Sequence, residues 1–180
     1  EEILSTKGQP NTEYYNRSYA IIQDPSTGEI LAMAGRQAIE DGQGGYRMID
    51  CTAGIMTSPM TSGSVVKGAS MLVGYNIGAI QIGEYQVDEC VKLKGVKEKC
   101  SWKTLGRIND IDALALSSNV YQFKTAMKVA GYQYSYDMPF KVDKTVFDTY
   151  RNTFKEFGLG VKTEIDLPVE SLWYTSDHTA

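Results

Sequence analysis

Residues 57–74, TSPMTSGSVVKGASMLVG, decide how the chain is read. A turn-rich lead-in ends at Gly63. From Ser64 an apolar row at Val65, Ala69 and Leu72 recurs at i, i+4 and i+7, which predicts a helix ending near Gly74. Ser64 and Lys67 are three residues apart at its start, so they share one face about one turn from each other. The serine hydroxyl then lies near the positive end of the helix dipole. A lysine in that place, partly desolvated, loses its proton closer to neutral pH and can take the proton of the serine hydroxyl. The spacing alone carries little weight: with thirteen serines and thirteen lysines in 180 residues, chance yields about one Ser-x-x-Lys. What singles this one out is a serine in the first turn after an extended approach.

Composition excludes several classes. The chain is 42% hydrophobic and 22% charged, ordinary for a globular domain, and its length suits one domain better than two. Eighteen basic against twenty-two acidic residues leave a net charge of -4, so there is no electrostatic footprint for nucleic acid. The one histidine, His178, is third from the end, which argues against a Ser-His-Asp or Cys-His catalyst. Cys51, Cys90 and Cys100 contain no CxxC pair, and one histidine completes no common zinc set, so no metal site is expected. No cofactor is expected either: the GQGG stretch at 42–45 lacks the Lys-Ser/Thr of a phosphate-binding loop and reads as a connector. Cys90 and Cys100 bracket VKLKGVKEK; a bond closing this loop in an exported protein and two unpaired thiols on neighbouring strands both stand. No run of eighteen apolar residues occurs. The chain opens abruptly with EEILSTKGQP, without a signal peptide, as a piece of a longer protein would.

Upstream, SYAIIQDPSTGEILAMAG (18–35) is two apolar runs around a Pro-Ser-Thr-Gly turn, a β-hairpin. Residues 36–50 read as a loop. Downstream the pattern is helical. Asn109 and Asp110 are caps for an apolar run through Ile111, Leu114 and Leu116. Val120, Phe123, Met127 and Ala130 form a stripe closed by Gly131, and Phe147, Tyr150, Phe154 and Phe157 another closed by Gly158. These stripes are read as core. Residues 82–104 read as a charged, extended excursion. Two strands do not make a stable sheet, so further strands are expected from elsewhere. Ser117-Ser118-Asn119, between two stripes, reads either as a helix cap or as a hydroxyl and an amide facing one cleft, the first to relay a proton and the second to hold a peptide carbonyl.

Ser64-x-x-Lys67 with Ser117-x-Asn119 resembles the signature of serine β-lactamases and penicillin-binding proteins. The likeness extends to IIQDPSTGEILAMAG, to TSPMTSGSVVKGASMLVGYNIGAIQIGE, to SWKTLGRINDIDALALSSNVYQFKTAMKVAG and to YRNTFKEFGLGVKTEIDLPVES. Over residues 14–171 the chain resembles the transpeptidase domain of class B penicillin-binding proteins of Gram-positive type. The resemblance implies an α+β fold, an antiparallel sheet flanked by helices with a helix-rich subdomain. Here it is a single incomplete domain over 1–180, with the hairpin at 18–35, the nucleophile helix from 64 and the helix-rich part at about 105–160. It implies Ser64 as the acyl-accepting nucleophile, Lys67 as its base, Ser117 as proton relay, Asn119 as a contact to the substrate amide, and the Ser64 N–H as half of an oxyanion hole.

Three departures accompany it. Ser62-Gly63 stands where the family has Pro-Gly. No Lys-Thr-Gly or Lys-Ser-Gly occurs, and Lys162-Thr163-Glu164 lacks the glycine. The end, 172–180, is atypical. The expectation is therefore a truncated piece whose sheet is completed by a C-terminal half or a second chain, and which alone acylates slowly or not at all.

The implied activity is D,D-transpeptidation of peptidoglycan stem peptides on the extracytoplasmic face of the cell membrane, beside a membrane glycan polymerase, with β-lactams as covalent inhibitors. The membrane anchor is not in this chain. The alternatives are a β-lactamase or β-lactam sensor of the same fold, and a non-catalytic fragment lacking the Lys-Thr-Gly strand.

Overall fold

Antiparallel pairing of β1 (Arg17–Gln23) with β2 (Ile30–Glu40) begins at the Pro25-Ser26-Thr27-Gly28 turn, where Asp24 Oδ1 accepts from the Ser26 N–H (2.7 Å) and Asp24 O from the Gly28 N–H (2.8 Å). The computed structural model describes residues 16–58, 60–168 and 170, which form two compact units. The sheet lies in the first, with residues up to 60 and 164–170; the second is residues 61–163. The expected loop at 36–50 is a correction. Residues 36–40 continue β2, and β3 (Tyr46–Asp50) pairs with it, giving the order β1-β2-β3. The reason is local: Asp41 Oδ1 accepts from the N–H groups of Gln43 and Gly45, folding DGQGG into a tight turn between alternating segments. A short helix, α1 (Gly54–Thr57), completes the unit.

The second unit is mostly helical. A 3₁₀ turn (Gly63–Val66) leads into α2 (Lys67–Asn76), followed by α3 (Asp110–Ala115), α4 (Asn119–Val129) and α5 (Lys144–Glu156). β4 (Gln86–Asp88), inside the excursion read at 82–104, pairs antiparallel with β5 (Gly106–Ile108), just beyond it. Met71, Ile80, Ile108, Ala113 and Tyr121 form one core cluster; Val91, Val120 and Met127 form another, packed by Leu93, Tyr132, Tyr134 and Phe140. α2 and α4 meet closely at Gly74, where a Cβ would lie 2.9 Å from both Ile80 Cγ1 and Thr125 Cγ2.

α2 buries Met71, Val73 and Gly74, while Val65, in the turn before it, is 90% exposed and Leu72 is exposed, so two members of the apolar row read from the sequence lie in water. One expectation about the core is corrected. The aromatic stripe of α5 is only half core: Tyr150 and Phe154 are half-buried and stack edge to face, but Phe147 and Phe157 are exposed. Phe123 in the α4 stripe is likewise exposed, the buried face being Val120, Tyr121, Thr125 and Met127.

Four helices of this unit end alike. In α2, α4 and α5 the residue after the C-cap is Gly78, Gly131 and Gly158, each with positive φ. In each, that glycine's N–H and the following N–H return to the last turn: Gly78 to Tyr75 and Ala79 to Gly74, Gly131 to Lys128 and Tyr132 to Met127, Gly158 to Lys155 and Leu159 to Phe154. This is the Schellman motif. α3 closes in the same way, Ser117 N–H to Leu114 O (3.1 Å) and Ser118 N–H to Ala113 O (2.8 Å), but its left-handed residue is Ser117, with φ 54°.

Cys90 and Cys100 form a disulfide, and Cys51 is free, which settles the two readings of that pair. Among the described residues no helix is long and apolar enough to cross a membrane. His178 and the atypical tail at 172–180 lie outside the described residues.

Candidate active site

Lys67 is the first residue of α2, and its side chain reaches the turn between α3 and α4 fifty residues on. Its Nζ donates to Ser117 O (2.7 Å), Ser117 Oγ (3.0 Å) and Asn119 Oδ1 (2.7 Å). An ammonium has three protons and no lone pair, so this set satisfies it in full. Burial holds the Lys67 amine below the ordinary lysine range, because desolvation penalises the charged form.

The acceptors are aimed by the backbone. The Schellman cap turns the chain sharply at Ser117, so that its carbonyl and its hydroxyl both point to one nitrogen. A non-glycine residue in the left-handed region is disfavoured by about 1–2 kcal/mol, and here that strain sits at a proposed proton relay. Ser118 is fully buried and caps α4, its Oγ accepting from the Tyr121 N–H at 2.9 Å. Asn119 is the first residue of α4.

Ser64 lies in the 3₁₀ turn, exposed, with its carbonyl accepting the Lys67 N–H. Residues i and i+3 eclipse in such a turn, which puts Ser64 and Lys67 along one edge. The Ser64 hydroxyl makes no hydrogen bond to a described residue, and Lys67 Nζ is turned to Ser117 and Asn119. The structure thus brings Lys67, Ser117 and Asn119 into direct contact and places Ser64 one turn away.

Sequence reasoning missed what lies beneath these residues. Asp88, 2% exposed at the end of β4, accepts from the hydroxyls of Ser101 (2.7 Å) and Ser118. Ser101 Oγ in turn accepts the N–H groups of Asn119 (3.0 Å) and Val120 (3.1 Å). Asp88 is 13 and 30 residues from its two partners, so no local pattern signals it. Trp102, largely exposed, donates its indole N–H to Leu116 O (2.9 Å), beside the same turn. The sequence contains the tryptophan without any hint of that contact.

Known proteins are similar to this chain in sequence and fold. Residues 18–173 match the family described as penicillin binding protein transpeptidase domain. Penicillin-binding protein 2A of Bacillus subtilis (strain 168) is 42% identical over 175 residues, covering 97% of this chain and 24% of that protein. Penicillin-binding protein 2B of Streptococcus pneumoniae (strain D39) is 31% identical over 166 residues, 88% of this chain and 24% of the relative. The chain therefore spans about a quarter of the length of the curated relatives it matches. Among solved structures, penicillin-binding protein 2B from S. pneumoniae strain R6 matches with a TM-score of 0.88 at 28% identity, over 99% of this chain and 29% of that one. That from strain 5204 gives 0.82 at 31%, over 93% and 28%. The α+β fold class expected from the sequence, a partial transpeptidase-like fold, is borne out.

Proposed function

The chain belongs to the penicillin-binding protein transpeptidase family, and on that ground we propose that it carries the nucleophile side of a D,D-transpeptidase site. The observation that supports this is the placement of Lys67 Nζ against Ser117 and Asn119, one turn from an exposed serine.

In this reading Lys67 reacts as the free amine, which keeps two donors for its acceptors and offers one lone pair. Ser64 Oγ attacks the penultimate D-Ala carbonyl of a stem peptide while its proton passes to Lys67 Nζ. The Ser64 N–H supplies one donor to the developing oxyanion. The C–N bond to the terminal D-Ala then breaks, and the proton travels from Lys67 through Ser117 Oγ to the leaving amine. Asn119 holds a substrate amide. An amine from a neighbouring strand attacks the acyl-enzyme, and its proton returns along the same path to Ser64 Oγ. A β-lactam enters by the same attack, but its leaving nitrogen stays tethered.

The strand with Lys-Thr-Gly, a tripeptide that does not occur in residues 1–180, comes in this reading from sequence outside this stretch or from a second chain. The site works on the extracytoplasmic face of the cell membrane, beside a glycan polymerase. The Cys90–Cys100 disulfide supports an oxidising compartment.

Intact mass before and after benzylpenicillin, on the full-length protein, tests the reading. One adduct on the Ser64 peptide is expected, lost in Ser64→Ala and formed orders of magnitude more slowly in Lys67→Ala. Labelling that survives Ser64→Ala overturns it. Slow loss of the adduct marks a transpeptidase, and rapid turnover a β-lactamase.

A further inference from the structure

Two separate hydroxyls converge on one buried carboxyl beneath the Ser117–Asn119 turn. The first N–H groups of any helix lack intrahelical partners. At α4 those of Asn119 and Val120 go to Ser101 Oγ, and that of Tyr121 goes to Ser118 Oγ. A hydroxyl has one proton, and these two serines can accept the amides fully only if their protons point elsewhere. Both point to Asp88 Oδ2, which gives the arrangement its direction. Asp88 is also fastened from its other side by the Leu105 N–H to Oδ1, a weak contact at 3.5 Å. The Cys90–Cys100 disulfide lies two residues after Asp88 and one before Ser101, tying the two limbs that carry them.

We propose that Asp88 is a positioning residue for the acylation site: through Ser101 and Ser118 it fixes the first turn of α4, and so the place where Ser117 and Asn119 receive Lys67. It touches neither substrate nor Lys67. The proposal rests on the reading of Ser64, Lys67, Ser117 and Asn119 as the acylation machinery.

The test uses the full-length protein and benzylpenicillin, resolving initial binding, the acylation rate constant and the fraction of molecules labelled. Asp88→Ala and Ser101→Ala are expected to slow acylation by about 10–100-fold, the range for partners that orient a reacting group, with initial binding and labelled fraction unchanged. Asp88→Asn recovers part of the rate, because an amide oxygen placed at Oδ2 still accepts both hydroxyls and only the weak Leu105 contact is lost. If Asp88→Ala lowers only the labelled fraction or the melting temperature, its role is merely structural and the proposal is overturned. Ser101→Ala reads the same relay should Asp88→Ala not fold.

Amide exchange separates this proposal from the one it rests on. The N–H groups of Asn119 and Val120 are expected to exchange at least about tenfold faster in Asp88→Ala, because Ser101 Oγ, which accepts both, loses its direction. Labelling that persists in Ser64→Ala would remove the acylation reading while leaving this exchange result standing. Unchanged exchange would remove the positioning role whatever the labelling shows.

Discussion

Lys67 Nζ donates to the carbonyl of Ser117 at 2.7 Å, and Ser117 is the residue that ends α3 in the left-handed conformation. A strained backbone and a desolvated cation thus meet at one hydrogen bond. The strain aims the carbonyl and hydroxyl, and burial readies the amine to lose a proton.

That loss sets a pH dependence. Burial lowers the Lys67 value in the folded state, so the native protein binds fewer protons than the unfolded chain between the folded and unfolded values. Acylation is expected to rise with pH along a limb centred below the ordinary lysine value, as the free amine forms. The contribution of Lys67 to stability also rises with pH across that window. Acylation rate constants measured against pH check the first, and the limb should vanish in Lys67→Ala.

Ser117 separates backbone strain from chemistry. Both Ser117→Gly and Ser117→Ala remove the hydroxyl, but only glycine relaxes at φ 54°. Ser117→Gly should be the more stable of the two by about 1 kcal/mol, measured by urea unfolding, with acylation impaired in both.

Gly74 allows the close approach of α2 and α4. A methyl there would meet Ile80 and Thr125 at 2.9 Å, so Gly74→Ala is expected to destabilise by about 1–3 kcal/mol despite alanine's better helix propensity. Thermal melting of the variant decides it; an unchanged or higher midpoint would contradict the packing described.

The disulfide closes a loop with a sequence separation of 10. Its removal by Cys90→Ser with Cys100→Ser should lower stability by roughly 2–3 kcal/mol on the chain-entropy account. Denaturant midpoints with and without the substitutions measure it.

How far the sequence is legible depends on the range of each signal. The Pro-Ser-Thr-Gly hairpin, the Asn109 cap and the glycines that close α4 and α5 are local, set by a few neighbouring residues, and were readable. β3 was hidden because its five residues come after a glycine-rich turn that reads as a loop. The cap at Ser117 was hidden because it breaks the glycine rule that the other three helices obey. The juxtaposition of Lys67 with Ser117 and Asn119 spans fifty residues or more; only the family resemblance, and no periodicity, linked the two motifs. Asp88 had neither signal. The exposed ends of the aromatic row show the limit of pattern reading: a stripe says which side is apolar, not how much of it is covered.

α3 has only six residues, bounded by the Asn109 cap and by Ser117, and this brevity makes it a ruler. Each residue added to a helix turns the downstream chain through about 100° and advances it about 1.5 Å. One insertion inside 110–115 would swing the Ser117 carbonyl away from α2, with no remaining turn in which to absorb the error. Within the loop closed by Cys90 and Cys100, Val91 to Lys94 are held by the core and by Met138, but the exposed tip at 95–97 can change length without moving either limb. In an insertion scan of the full-length protein, single-residue additions should therefore be tolerated across 95–97 and eliminate acylation across 110–118.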